Sequence, residues 1–99
     1  MIVHLENEKD FEKEIQGDLV IVDFYADWCG PCQMLAPVLE QLDGELPVKI
    51  VKINTDIVPD IARMFRVMSI PTLLLFKNGK FVKRDLGYMP IERLREFIK

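Results

Sequence analysis

The chain has 99 residues, of which 49% are hydrophobic, so it can form one small domain with an apolar core. Its 13 basic and 16 acidic side chains leave a formal net charge of −3, which argues against nucleic acid as the main partner. No apolar run approaches the roughly 20 residues that cross a bilayer, and the N-terminal residues lack the apolar stretch of a signal peptide. We therefore expect a single domain over residues 1–99, located in the cytoplasm, with no nucleic-acid or membrane partner.

The chain begins with a predicted edge strand over residues 2–5, followed by a helix. Asn7 can cap this helix, and its buried face would carry Phe11 and Ile15, which are four residues apart. His4 is the only histidine. Because no other metal-ligating residue stands near it, we expect His4 to lie on the surface.

Residues 19–26 form a near-continuous apolar run, which is typical of a central strand buried on both faces. Asp23 interrupts this run. A carboxyl group in such a strand is costly unless it is paired or protonated. One interpretation is a structural acid with satisfied hydrogen bonds. The other interpretation, which we favour, is that Asp23 accepts a proton from Cys32, a thiol that follows this strand, and that burial raises the pKa of Asp23.

Cys29 and Cys32 are the only cysteines, and they follow this strand directly. Their spacing of three residues is about one helical turn, so a helix that begins near Cys29 would let the two sulfurs form a disulfide. The free N–H groups of a helix start favour negative charge and would lower the pKa of the Cys29 thiol. Pro31 suits the first helical position because it lacks an N–H, and Gly30 leaves space around the outer sulfur.

Three other interpretations of the cysteine pair are weaker. Half of a zinc site needs two more ligands, and the chain offers only His4, although a site shared between molecules stays open. The short loop between the cysteines restrains little of the unfolded chain, which argues against a purely structural disulfide. Inert buried thiols fit poorly with the Gly-Pro between the cysteines. We therefore expect a redox-active pair and no metal site.

The residues after the cysteines predict three helices and three strands. Asn78-Gly79 lies between the last two strands and is a strong signal for a type I′ hairpin. Lys52 is a cation on an otherwise apolar face; in a strand–helix–strand unit it would approach Asp23 and oppose the rise in the Asp23 pKa. The alternative is a lysine whose charged end reaches the surface. The predicted helices cover about residues 32–42 and start near Pro59 and near Pro90, and the predicted strands cover residues 48–53, 72–76 and 80–86.

These elements resemble the thioredoxin family over nearly the whole chain. The resemblance implies an α/β thioredoxin fold, with a central mixed five-stranded sheet flanked by four helices in the order βαβαβαββα. It rests on Trp28-Cys29-Gly30-Pro31-Cys32 after a strand, Ile70-Pro71-Thr72, Lys77-Asn78-Gly79 and Gly87 before a final helix.

The resemblance also implies the function of a protein-disulfide reductase. Cys29 would be the nucleophile, Cys32 the resolving thiol, and Asp23, modulated by Lys52, the proton acceptor. The Ile70–Pro71 bond would be cis, and the backbone before it could pair with an extended client. The alternative is a trans proline that starts the next strand. The client-binding residues would be Trp28, Gly30, Pro31, Ile70, Pro71 and Gly87.

The expected partners are client proteins with disulfides and a separate thioredoxin reductase of the NADPH–flavin or ferredoxin type. We expect a monomer and no bound cofactor beyond the Cys29–Cys32 disulfide. The Gly-Pro between the cysteines resembles reductants, whereas oxidants and isomerases of this fold commonly have His there. A disulfide isomerase or oxidant, and a binding module without turnover, stay as alternatives. Tyr25, Met68 and Ser69 depart from the common family pattern and leave the choice of partners open.

Overall fold

The computed structural model describes all residues 1–99 as five strands and four α-helices. Their order is βαβαβαββα, as predicted, and a 3₁₀ turn at Glu8–Asp10 leads into the first helix. No helix is both long and apolar enough to span a bilayer. The strands are β1 (Ile2–His4), β2 (Leu19–Tyr25), β3 (Lys49–Asn54), β4 (Thr72–Lys77) and β5 (Lys80–Leu86), and the helices are α1 (Phe11–Glu14), α2 (Gly30–Glu45), α3 (Pro59–Met64) and α4 (Ile91–Phe97).

The five strands form one mixed sheet in the order β1-β3-β2-β4-β5. β3 lies parallel to both β1 and β2, whereas β4 is antiparallel to β2 and β5 is antiparallel to β4. This arrangement confirms the predicted five-stranded mixed sheet with four helices. Because β2 and β3 are parallel neighbours, their carboxyl ends meet at the same edge of the sheet.

Apolar side chains cover both faces of the sheet, and β2 contributes to both layers. Val22 of β2 belongs to a layer that includes Phe11 of α1 and Ile61 of α3. Ile21 belongs to the opposite layer, which α2 and α4 complete with Leu35, Leu39, Leu42 and Leu94. The strand is therefore buried on both faces, as its continuous apolar run predicts.

Two helices differ from their predicted bounds. α2 begins at Gly30 rather than near Cys32 and ends at Glu45 rather than Leu42, so Gly44 lies inside it. One glycine costs a helix only about 1 kcal/mol. The burial of Leu35, Leu39 and Leu42 on the inner face of α2 outweighs this cost. The helix ends where Leu46, the residue before a proline, adopts an extended backbone. The first helix is shorter than predicted. Asn7 caps a 3₁₀ turn rather than an α-helix, and α1, which follows this turn, has only four residues.

The hairpin between β4 and β5 turns at Asn78 and Gly79. Their φ angles are 53° and 79°. A type I′ turn requires positive φ at both central residues, which asparagine and glycine adopt most easily. The predicted hairpin is confirmed.

Candidate active site

The two cysteines lie at the junction between β2 and α2 and form a disulfide, with their Cα atoms 5.2 Å apart. Cys29 caps the helix, since its Sγ accepts a hydrogen bond from the backbone N–H of Cys32 at 3.2 Å. Pro31 occupies the second helical position rather than the first, and its missing N–H still removes no hydrogen bond from the helix. This end of a helix favours negative charge, because its first N–H groups have no partner within the helix.

The two sulfur-bearing residues open onto different cavities. Cys29 lines a groove of about 490 Å³, whereas Cys32 lines a separate cavity of about 330 Å³. Each cysteine is only 5% exposed. A client disulfide therefore has to enter the groove to reach it.

The groove brings together most of the expected client-binding residues. Cys29 Sγ lies 3.8 Å from the Ile70 carbonyl oxygen, and the Ile70–Pro71 bond is cis. Pro71 and Gly87 do not line the groove; the Gly87 N–H donates to the Pro71 carbonyl at 2.8 Å. The expected residues that do line it are Trp28, Gly30, Pro31 and Ile70.

The groove also contains residues that no sequence pattern singled out. These are Thr55, Ala62 and Val67, which lie after β3, in α3 and after α3. Beside them, Asp56 Oδ2 accepts a hydrogen bond from Trp28 Nε1 at 2.9 Å and fixes the exposed indole. The strand order did indicate that the residues after β3 would lie near the cysteines. Neighbouring parallel strands such as β2 and β3 have their carboxyl ends at the same edge of the sheet.

Asp23 lies within β2 and is 2% exposed. Its Oδ2 lies 3.6 Å from Lys52 Nζ, while its buried Oδ1 has no hydrogen-bond partner in the protein. Burial raises the pKa of Asp23 from 3.8 to about 6, against the ammonium of Lys52, which lowers it. A carboxylate with a free oxygen and a pKa near neutrality is suited to accept a proton.

Lys52 stands directly opposite Asp23 in the register between β2 and β3. Its side chain is only 13% exposed, so it is not a surface lysine, and Nζ lies 4.7 Å from the centre of the Tyr25 ring. His4 follows next across the sheet on β1 and is exposed. No group of three or more His, Cys, Asp or Glu side chains is placed to hold a metal ion.

Comparison with known proteins places this site in a family. A family model described as "Thioredoxin" matches residues 2–99. The chain belongs to the thioredoxin family. A relative named thioredoxin from Chlamydia muridarum is 48% identical over 98% of this chain and 96% of its own length. Another, from Bacillus subtilis, is 44% identical over 99% of this chain and 96% of its own length.

A solved thioredoxin structure has the same fold. Mitochondrial thioredoxin 3 from Saccharomyces cerevisiae, in its oxidised form, matches with a TM-score of 0.90 and 39% identity, covering 98% of this chain and 92% of that one. The assignment made from the sequence is confirmed. As a member of the thioredoxin family, the chain is a protein-disulfide reductase with the Cys29–Cys32 disulfide as its redox group.

Proposed function

We propose that Cys29 attacks client disulfides, that Cys32 resolves the intermediate, and that Asp23 accepts the proton of Cys32. The observation that carries this assignment is the separation of the two cysteines. Cys29 opens onto the groove that contains Trp28, Gly30, Pro31 and Ile70. Cys32 opens onto the cavity that contains Lys52, the ion-pair partner of Asp23.

The first step is attack by the Cys29 thiolate on one sulfur of a client disulfide. The client S–S bond breaks, a mixed disulfide forms between Cys29 and the client, and the other client sulfur leaves as a thiolate. The groove orients the client. Its backbone pairs as an added strand with the chain before Pro71, where the Ile70 carbonyl lies close to Cys29 Sγ.

The second step is attack by Cys32 on Cys29. Cys32 transfers its proton to Asp23, directly or through water, and its thiolate displaces the client sulfur to form the Cys29–Cys32 disulfide. With a pKa of about 6, the Asp23 carboxyl is mostly ionised at pH 7 and can take this proton. Lys52 keeps that pKa from rising further, because its ammonium favours the carboxylate.

The cycle closes when a separate reductase delivers two electrons to the disulfide, in a reaction of the NADPH–flavin or ferredoxin type. Reductase and client use the same groove, since it gives access to Cys29.

We further propose that the protein works as a cytoplasmic monomer. Size-exclusion chromatography with light scattering at the cellular concentration tests the monomeric state, and a stable dimer would contradict it.

Single cysteine variants test the order of the two steps. Cys32→Ser keeps the nucleophile, so we expect it to accumulate a mixed disulfide with a client such as reducible insulin, detectable by non-reducing electrophoresis and mass spectrometry. Cys29→Ser should form no adduct and reduce nothing. Adducts on Cys32 of the Cys29→Ser protein at a comparable rate would reverse the assignment. Partner capture without turnover by the wild-type protein would instead support the binding module.

A further inference from the structure

The Tyr25 ring and the Asp23 carboxylate contact the same cation. Lys52 Nζ lies 4.7 Å from the centre of the ring and 3.6 Å from Asp23 Oδ2. Tyr25 and Asp23 are two residues apart on β2, so their side chains share one face of the sheet. Lys52 reaches this face from β3, where it stands opposite Asp23.

Two of these three groups, Tyr25 and Lys52, line the cavity onto which Cys32 opens. Asp27 and Gln33 line this cavity of about 330 Å³ as well. A lysine has a long, flexible stem and a strongly hydrated charge. Its 3.6 Å approach to Asp23 is longer than a hydrogen bond, so the carboxylate alone holds it loosely. The ring supplies the second contact.

One other charged group, Asp27, lines the same cavity, and the remaining ones lie farther along the sheet or are paired elsewhere. His4 stands beyond Lys52 on β1, and Asp27 follows Tyr25 at the cavity wall. On the opposite side the neighbour of Asp23 is the uncharged Leu73. Beyond Leu73 on the sheet lies Asp85 of β5, which forms an ion pair with Arg93 of α4 at 2.8 Å. Helix α2 contributes Cys32 and Gln33 to the cavity but no charged group.

We propose that Tyr25 is a positioning residue for this reaction: its ring holds the Lys52 ammonium beside Asp23 and so sets the pH range in which Asp23 accepts the proton of Cys32. This inference rests on the proposed role of Asp23 and adds a residue that acts through Lys52. Without the ring, the ammonium turns towards solvent. The Asp23 carboxylate then loses its nearest cation, and the resolving step requires a higher pH.

The test compares a ringless variant, Tyr25→Leu, with Tyr25→Phe, which keeps the ring. The reduced protein is rapidly mixed with a peptide disulfide whose two halves carry different fluorophores, so that formation and resolution of the mixed disulfide are followed separately. We expect the pH midpoint of the resolving rate to rise by about 0.5 to 1 unit in Tyr25→Leu, given the usual strength of a cation over a ring. Tyr25→Phe should keep the wild-type midpoint, and formation should change little in either variant.

A double-mutant cycle tests whether Tyr25 acts through Lys52. Lys52→Met should raise the midpoint by itself, and adding Tyr25→Leu should then raise it no further. Lys83→Met is the matched control, because Lys83 also lies over a ring, that of Phe97 at 5.4 Å, outside this cavity. Tyr25→Val serves as the ringless variant if Tyr25→Leu fails to fold.

The outcomes separate this inference from the proposed function. An unchanged midpoint in the ringless variant, or an equal shift with and without Lys52, overturns the role of Tyr25. Both results leave the role of Asp23 intact if Asp23→Asn abolishes the same pH dependence. If Asp23→Asn retains the wild-type profile, the proton-acceptor role itself is wrong. NMR titration of the Asp23 carboxyl in the reduced proteins gives a second, independent measure of the shift.

Discussion

Replacement of Asp23 by Asn should stabilise the protein at neutral pH and not at acidic pH. The folded state raises the pKa of this carboxyl from 3.8 to about 6 because burial penalises its charged form. The folded state therefore binds the proton more tightly than the unfolded state. Well below pH 3.8 both states are protonated and there is no penalty; as the pH rises towards 6, the unfolded state ionises first and stability falls.

The size of the effect follows from the two pKa values. A rise from 3.8 to about 6 corresponds to about 3 kcal/mol of lost stability once the pH exceeds the folded-state value. Asp23→Asn removes this loss, part of which is already present at pH 4. The free energy of unfolding of the variant relative to the wild type should therefore increase by about 2 kcal/mol between pH 4 and pH 7. Any fixed cost of burying the amide adds the same amount at every pH.

Guanidinium unfolding of the oxidised proteins at several pH values measures this difference, and the disulfide prevents titration of the cysteines. Asp85→Asn is the control with the opposite sign. Although partial burial acts to raise the pKa of Asp85, hydrogen bonds from Arg93 and the Leu86 N–H hold it below its usual value. Asp85 should therefore contribute stability that is lost as the pH falls through that lowered pKa. A constant stability difference for Asp23→Asn between pH 4 and pH 7 would refute the reasoning.

Three further predictions concern the groove and the redox pair. Met68 is 93% exposed and lines the groove. Met68→Arg should therefore raise the KM for apolar clients several-fold with little change in kcat, whereas Met68→Leu should leave the KM unchanged. Equal kinetics for the two variants would show that Met68 does not contact clients. Asp56→Ala removes the acceptor for Trp28 Nε1 and should weaken client binding, measured by KM. Asp56→Asn keeps an acceptor, so this variant should bind clients nearly as well as the wild type. An equal loss of binding in both variants would show that the charge of Asp56 matters rather than the position of the indole. The Cys29–Cys32 couple, equilibrated in a thiol redox buffer, should have a reduction potential of about −270 mV. A value of roughly −180 to −120 mV would indicate an isomerase or oxidant.

The sequence predicted the parts of the site that local patterns determine. The apolar run around Asp23 indicated a strand buried on both faces, and the order strand–helix–strand indicated that β3 lies beside β2. Together they predicted the approach of Lys52 to Asp23, which the register of the two strands produces. The spacing of Cys29 and Cys32 likewise predicted their position at a helix start.

Contacts between distant loops were not predictable from these patterns. Trp28 and Asp56 are 28 residues apart in the chain, and their hydrogen bond depends on how two loops leave adjacent strands. The contact between Lys52 and the Tyr25 ring depends on side-chain rotamers rather than on strand periodicity. The length of α2 was underestimated because tertiary packing decides whether Gly44 continues a helix or ends it.

The division of the two cysteines between separate cavities makes the site modular. Under the proposed mechanism, substitutions along the groove would change which client surfaces the protein accepts, without touching the cavity that holds Lys52 and Cys32. Under the proposed mechanism, substitutions in that cavity would change the rate at which the reduced client is released and would leave the groove as it was. Selection, or an engineer, can thus retarget the protein and retune its working pH in independent steps.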